Sequence, residues 1–363
     1  MGESTLTAGA RALRREAGEL YRRRWIAKSF PPLPQDALLP IDEAPDVLLL
    51  CSRMIGHFDA KIALQELAFA HELAARSRQF AVADEPRVLF EKSIVWFLPN
   101  MLVAPHLWDY SRQVHEFVAG LERQGNTLFC SSDEMIYWEN KAAMQRKFAE
   151  TGVQTPRTRL LTRDQWRSVA FDLEPVLLKE EHSAGSAGIH HFSSADDARG
   201  FVATYPFRPG ETLIMQEVVP GATRDLRLTM VGERMIPSAT FWRTKPDGGA
   251  SGHWTTTASK YGSTIEHRDI PPQAVAAGID VMRKLGLRTA GMDLMWTDDD
   301  VSGIPLVLEI SPYFQPNPPK PERYEHLSYS EYKQRPYVED GYLSRQYDVF
   351  RSMAGEALDQ HLF

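Results

Sequence analysis

Asp293 and Glu309 are the residues whose type and spacing point most directly to chemistry. Each lies in a short apolar run with the texture of a strand, Thr289–Trp296 and Pro305–Ile310, and the polar turn Thr297 to Ile304 joins the two. Their midpoint, residue 301, is the middle of that turn, so an antiparallel hairpin sets the two carboxylates opposite each other. Alternation places Met292, Leu294, Trp296, Leu306, Leu308 and Ile310 on the other, buried face, and Ser311 beside Glu309. Opposed carboxylates repel unless a cation stands between them. That cation is either a hard metal ion such as Mg²⁺, which leaves ligand positions for phosphate oxygens, or a lysine or arginine side chain. None of the latter lies in the neighbouring sequence on that face, which predicts uncompensated negative charge at the hairpin in the apo protein. The run Asp298-Asp299-Asp300 reads as a polar turn.

The segment Lys179-Glu-Glu-His-Ser-Ala-Gly-Ser-Ala-Gly188 joins two strand-like runs through small residues. Such a loop can expose consecutive backbone N–H groups to phosphate oxygens, and it serves equally as a plain hairpin connection. It has neither the spacing of a P-loop nor that of a dinucleotide fingerprint. His182, His190 and His191 do not suggest a shared metal, because the last two are adjacent on a strand and point to opposite faces. No Ser/His/Asp triad, Gly-x-Ser-x-Gly motif or reactive cysteine setting is visible.

The elements that must position these groups follow from the rest of the 363 residues. A length of this order predicts two or three domains. The formal charge of −7 argues against nucleic acid or an anionic membrane as a partner. Two cysteines, Cys51 and Cys130, exclude a disulfide scaffold and read as reduced thiols of a cytoplasmic protein. Residues 1–45 read as an amphipathic helix, with Leu13, Ala17, Leu20 and Tyr21 on one side, followed by a proline-rich linker. Residues 46–133 alternate strand and helix patterns, which predicts an α/β domain with a parallel sheet. Ser131 and Glu134 have capping-box spacing and open a helical stretch that runs to Glu150 and is closed by Gly152. From Thr155 strands alternate with glycine-bearing turns, a helix fits Pro272 to Leu285, and a Pro/Tyr-rich tail precedes a last helix, Tyr342 to Leu358.

In this order the motifs resemble the ATP-grasp superfamily, in particular the branch of glutathione synthetase and the ribosomal-protein glutamate ligases. The resemblance covers roughly residues 117–312. It rests on Lys141 in ENKAAMQRKFAETGVQTPRT, Lys179 in VLLKEEHSAGSAGI, MQEVVPGATRDLRLTMVGERMIPSATFWR, and GMDLMW with LVLEISP. It implies an α/β domain at residues 46–133, a central lobe at 134–212 and a C-terminal lobe at 213–363, with ATP gripped between the lobes. It also implies that Lys141 and Lys179 reach the nucleotide phosphates under the loop Ser183, Gly185, Ser186 and Gly188. The backbone of Gln216, Glu217, Val218 and Val219 would hold adenine, and Asp225 the ribose. Arg243 would stabilise an acyl phosphate, and Asp293, Glu309 and Ser311 would bind Mg²⁺ or Mn²⁺. Ser311 stands where the family usually has asparagine, and the Arg-x-Asn pattern after the catalytic arginine is missing; His253 to Thr256 and Lys260 occupy that region. The implied activity is an ADP-forming carboxylate–amine ligase acting on small acid and amine substrates. Arg53, His57, Trp254 and Lys260 are the substrate candidates, and a homodimer is compatible with the sequence. A nucleotide-binding regulator without turnover, or a ligase that modifies a peptide, are the alternatives.

Overall fold

Three sheets organise the chain. A computed structural model describes residues 8–33, 35–40, 47–50, 60–83, 94–97, 107–138, 140–183, 188–245, 263–312 and 314–362. Helix α1 (Ala8–Ser29) leads to the first unit, built from β1 (Val47–Leu50), α2 (Ala60–Ala75), β2 (Ala81–Ala83), β3 (Ile94–Phe97), α3 (Leu107–Arg123) and β4 (Thr127–Phe129). Its four strands run parallel in the order β2-β1-β3-β4, as strand–helix alternation predicts. The proline-rich linker is partly docked: Leu38 bridges Phe80 and Ala37 is buried in this unit's core.

The stretch opened by the capping box is two helices, not one. Short α4 (Ser132–Met135) carries the box, and α5 (Lys141–Thr151) starts afresh because the Asn140 side chain accepts from the Ala143 N–H. Gly152, in the left-handed region, closes α5. A four-stranded antiparallel sheet follows, made of β5 (Thr158–Thr162), β6 (Val176–Lys179), β7 (Ile189–Phe192) and β8 (Thr212–Glu217), ordered β5-β8-β6-β7 and backed by α6 (Ala195–Thr204). Residue 212, where the sequence places the lobe boundary, opens β8, and β8 pairs on both sides inside this sheet.

The third sheet contains β9 (Arg224–Val231), β10 (Arg234–Met235), β11 (Phe241–Thr244), β12 (Thr264–Glu266), β13 (Thr289–Met295) and β14 (Leu306–Ser311), with α7 (Pro272–Leu285) inserted before β13. Its main order is β12-β11-β9-β13-β14, antiparallel throughout, and β10 pairs with β9. Leu226, Leu228, Met292, Leu294 and Ile310 turn one face of this sheet onto Val281 and Met282 of α7 and Met144 and Phe148 of α5. Helix α5 therefore rides on the third sheet while its first residue, Lys141, lies at the edge of the second. Two further α-helices, α8 (Tyr329–Lys333) and α9 (Tyr342–Ala357), follow among the described residues. Val349, Met353, Ala354 and Ala357 of α9 return to the core of the first unit. Against sequence expectation, Leu20 and Tyr21 of α1 are 54% and 56% exposed. The helix is held by rings on its C-terminal half: Tyr21, though exposed, and Trp25 pack edge-on against Tyr337, and Phe30, just after the helix, packs on Tyr347 of α9. No helix among the described residues is long and apolar enough to cross a membrane.

The acidic turn Asp298–Asp300 does more than stay polar. Asp298 donates its backbone N–H to the Pro220 carbonyl at 2.9 Å, and Asp299 accepts from the Thr223 N–H at 3.1 Å and from its hydroxyl at 2.5 Å. The tip of the β13–β14 hairpin thus braces residues 218–223, the only covalent link from the second sheet to the third. Gly221 sits at φ +64 against this tip, and a β-carbon there would meet the Asp298 backbone at 2.9 Å. Gly221→Ala should therefore destabilise the fold by about 1–3 kcal/mol, from the positive φ and the steric clash together. Urea unfolding checks it; a change under about 0.5 kcal/mol, the size of an ordinary surface substitution, contradicts the brace.

Candidate active site

Strand β9 is the centre of the site. Leu226 and Leu228 face the core, so alternation turns Asp225 and Arg227 to the opposite face. Register places Arg243 of β11 across from Asp225, and Asp293 of β13 across from Arg227. Glu309 of β14 is in turn directly opposite Asp293, as the hairpin arithmetic requires. One polar row thus crosses four strands. A bulge between Asp293 and Leu294 shifts the register by one residue, so Val307, not Leu308, joins the core, and Leu306 and Leu308 pack with Met295 in a small satellite cluster.

The row is densely paired. Arg243 holds Asp225 with two hydrogen bonds, from Nε at 2.8 Å and from Nη2, and its Nη2 also lies 2.9 Å from Asp293 Oδ1. Arg227 donates from Nε to Asp293 Oδ1 at 2.5 Å and from Nη2 to Oδ2 at 3.0 Å. Burial opposes the charge on Arg243, but Asp225 and Asp293 outweigh it and hold the guanidinium above its ordinary range. Burial likewise raises Asp293, and the two arginines more than reverse this, leaving its carboxyl below the usual range. The expectation of uncompensated charge at the hairpin is therefore corrected. The cation comes from Arg227, remote in sequence and adjacent only because β9 pairs with β13. Asp225, 1% exposed, accepts from Arg243 with both oxygens, an arrangement that orients the arginine.

The second sheet and helix α5 supply the amines. Lys179 ends β6, buried, and donates to Gln216 Oε1 at 2.6 Å, while Gln216 Nε2 donates to Thr158 at 3.0 Å. Burial lowers the Lys179 ammonium to about 8, with Lys141 adding to the fall and Glu309 and Asp293 opposing it. Lys141 Nζ donates to the Ser183 carbonyl at 2.5 Å and lies 3.4 Å from Glu309. Lys141 at the start of α5, Lys179 at the end of β6 and the acidic row of the third sheet thus share one electrostatic site. Glu180 N–H donates to the Gly188 carbonyl at 2.8 Å, closing the base of the loop, and Gly188 takes φ +70 where a side chain would strike Glu180. Glu217 turns outward to Arg157 at 2.7 Å, and Val218 and Val219 are buried. Ser311 is buried and pairs with Gly291. Gly185, Ser186, Arg53, His57, Trp254 and Lys260 lie outside the described residues.

Sequence reading missed Arg227. The signal was present in Asp225-Leu-Arg-Leu228: two charged residues alternate with two leucines in a strand that lies at the middle of a sheet. Glu309 differs from Asp293 in keeping room for a further cation, since its side chain is one-third exposed and its near ammonium is as far as 3.4 Å. Among the described residues no three histidine, cysteine, aspartate or glutamate side chains converge in a way that could hold a metal ion unaided.

The chain has the ATP-grasp fold, as its likeness to solved structures shows. It is similar to a RimK domain ATP-grasp protein from Sphaerobacter thermophilus DSM 20745, at 15% identity over 87% of this chain and 99% of that one, TM-score 0.52. Comparable likeness extends to the ATP-grasp ligase PsnB complexed with a phosphomimetic variant of its minimal precursor, Mg and ADP (13%, 86% and 99%, TM-score 0.51). The D-alanine–D-alanine ligase of Bacillus anthracis, complexed with ATP, gives 12% identity, 85% and 99% coverage and a TM-score of 0.50. No protein-family model matches the chain, and no curated protein matches it in sequence.

Proposed function

We propose that the chain is an ATP-dependent carboxylate–amine ligase that works through an acyl phosphate. The observation that carries this reading is the single site formed by Lys141 at the start of α5, Lys179 at the end of β6, and Arg227, Arg243 and Glu309 on one face of the third sheet. Coupling an acid to an amine needs the carboxylate activated first, and transfer of the γ-phosphoryl group to it demands alignment and charge neutralisation more than a nucleophile. Lys179 and Lys141 hold the phosphates. Arg243, fixed by Asp225, faces the charge that develops on the acyl phosphate and on the tetrahedral species formed by amine attack. The backbone at 216–219 holds adenine. A magnesium ion fits Glu309, with Ser311 beside it, and supplies neutralisation of phosphate charge when bound. The acid and amine are small molecules in this reading.

The test is ADP release on offering ATP, Mg²⁺ and a library of amino-acid and short-peptide pairs. Release dependent on one acid and one amine supports the ligase. ATP binding with no release for any pair moves the chain to the nucleotide-binding regulator.

Lys179 gives this reading a pH signature. The phosphate contact needs the ammonium, which is present below pH about 8 and lost above it. ATP affinity should be flat to about pH 8 and then fall by about tenfold per pH unit, while Lys179→Arg flattens the profile. Stability moves the other way: between about 8 and 10.5 the unfolded chain binds more protons than the folded one, so stability rises with pH there. Calorimetry at pH 7, 8 and 9 measures the affinity. Lys179→Ala should weaken ATP binding by about 1–3 kcal/mol at pH 7, and unchanged affinity would sink the assignment.

A further inference from the structure

We propose that Asp293 is a positioning residue for the two arginines of the site, and that the divalent cation is borne on the Glu309 side alone. This rests on the ligase reading above. A carboxylate has two oxygens and about four acceptor directions. Oδ1 of Asp293 takes Arg227 Nε at 2.5 Å and lies 2.9 Å from Arg243 Nη2, and Oδ2 takes Arg227 Nη2 at 3.0 Å. The fork of Arg227 therefore spans both oxygens in the parallel two-bond geometry that guanidinium and carboxylate favour. A metal ion on Asp293 would have to crowd the fork at the one acceptor direction left on Oδ2 and bring a third positive charge against two guanidinium groups.

Glu309 is in a different position. It faces Asp293 across the ladder, it is reached by one ammonium at 3.4 Å, and a third of its side chain is open to solvent. Of two opposed acids, one is thus built into an arginine pair and the other is left for an outside cation. The same arrangement gives Asp293 a task that complements Asp225. Asp225 takes Nε and Nη2 of Arg243, and Asp293 fixes Arg227 while also meeting Nη2 of Arg243, so both cations are held on one face of the sheet.

The experiment uses the full chain and Mn²⁺ as the probe. Electron paramagnetic resonance of free Mn²⁺, read against the same concentration of ATP without protein, measures cation binding to the complex without turnover. Glu309→Gln should weaken Mn²⁺ binding by at least about tenfold, whereas Asp293→Asn should stay within about threefold of the natural chain. Phenylglyoxal modification, read residue by residue by mass spectrometry, gives a second measurement that needs no nucleotide. Arg227 should react at least about fivefold faster in Asp293→Asn, because its carboxylate partner has lost its charge. Asp293→Ser gives both readings if the asparagine variant does not fold. Loss of Mn²⁺ binding in Asp293→Asn as large as in Glu309→Gln overturns the proposal, and so does unchanged Arg227 reactivity. Failure of the natural chain to bind Mn²⁺ with ATP would instead remove the ligase reading, and the arginine reactivities would still decide whether Asp293 positions them.

Discussion

Arg243→Ala should lower turnover by about two to three orders of magnitude while ATP affinity barely changes, the pattern of a group that acts on charge developing in the transition state. The structure adds a second consequence. Asp225 is 1% exposed and is held by Arg243, so the alanine variant leaves a buried carboxylate without that partner. Removing one member of a buried pair costs about 3–5 kcal/mol, because the remaining charge stays desolvated. Kinetics must therefore be read at a temperature where the variant is shown by circular dichroism to be folded. Arg243→Lys separates the two effects: it returns a positive charge to Asp225 but not the fork geometry, so stability should recover more than turnover does. A variant that keeps turnover and loses ATP affinity would move Arg243 from catalysis to nucleotide binding.

The other large effect is expected far from the chemistry. Arg288→Ala should destabilise the fold by about 3–5 kcal/mol, because Glu134 would remain buried after losing its charge partner. Arg288 precedes β13 and reaches Glu134 of the capping box, with Nε at 3.1 Å and Nη2 at 2.5 Å from Oε2, while its Nη2 donates to the Leu128 carbonyl at 2.6 Å. Glu134 also accepts from the Ser131 N–H at 2.8 Å, and its side chain is 3% exposed. One carboxylate thus caps α4 and ties the first sheet to the strand that carries Asp293. Chemical unfolding of Arg288→Ala, Glu134→Gln and the double variant gives the pair's coupling; strictly additive losses would show that the two residues do not act together.

The sequence by itself determined the local grammar. Capping chemistry at Ser131 and Glu134, glycine at 152, the period-two alternation of β9, β13 and β14 and the helix from Pro272 to Leu285 are all short-range facts, set by backbone sterics and the side-chain period. The same short range made the opposition of Asp293 and Glu309 legible, because a hairpin fixes register from one turn. It also carried the motif order from Lys141 to Glu309 that points to two lobes. What it did not determine was every pairing between strands far apart in sequence. Nothing near Asp293 announces Arg227, since their contact exists only because β9 lies between β11 and β13. Nor does the turn at Asp298 announce Gly221 and Thr223, or the last helix its place in the core of the first unit. A one-residue bulge was equally silent, and it moved Val307 into the core in place of Leu308. Charge balance at the site is decided the same way. Whether a buried acid is a metal ligand or an arginine's partner depends on what stands within about 3 Å of its oxygens, and sheet order, not local sequence, brings those neighbours there.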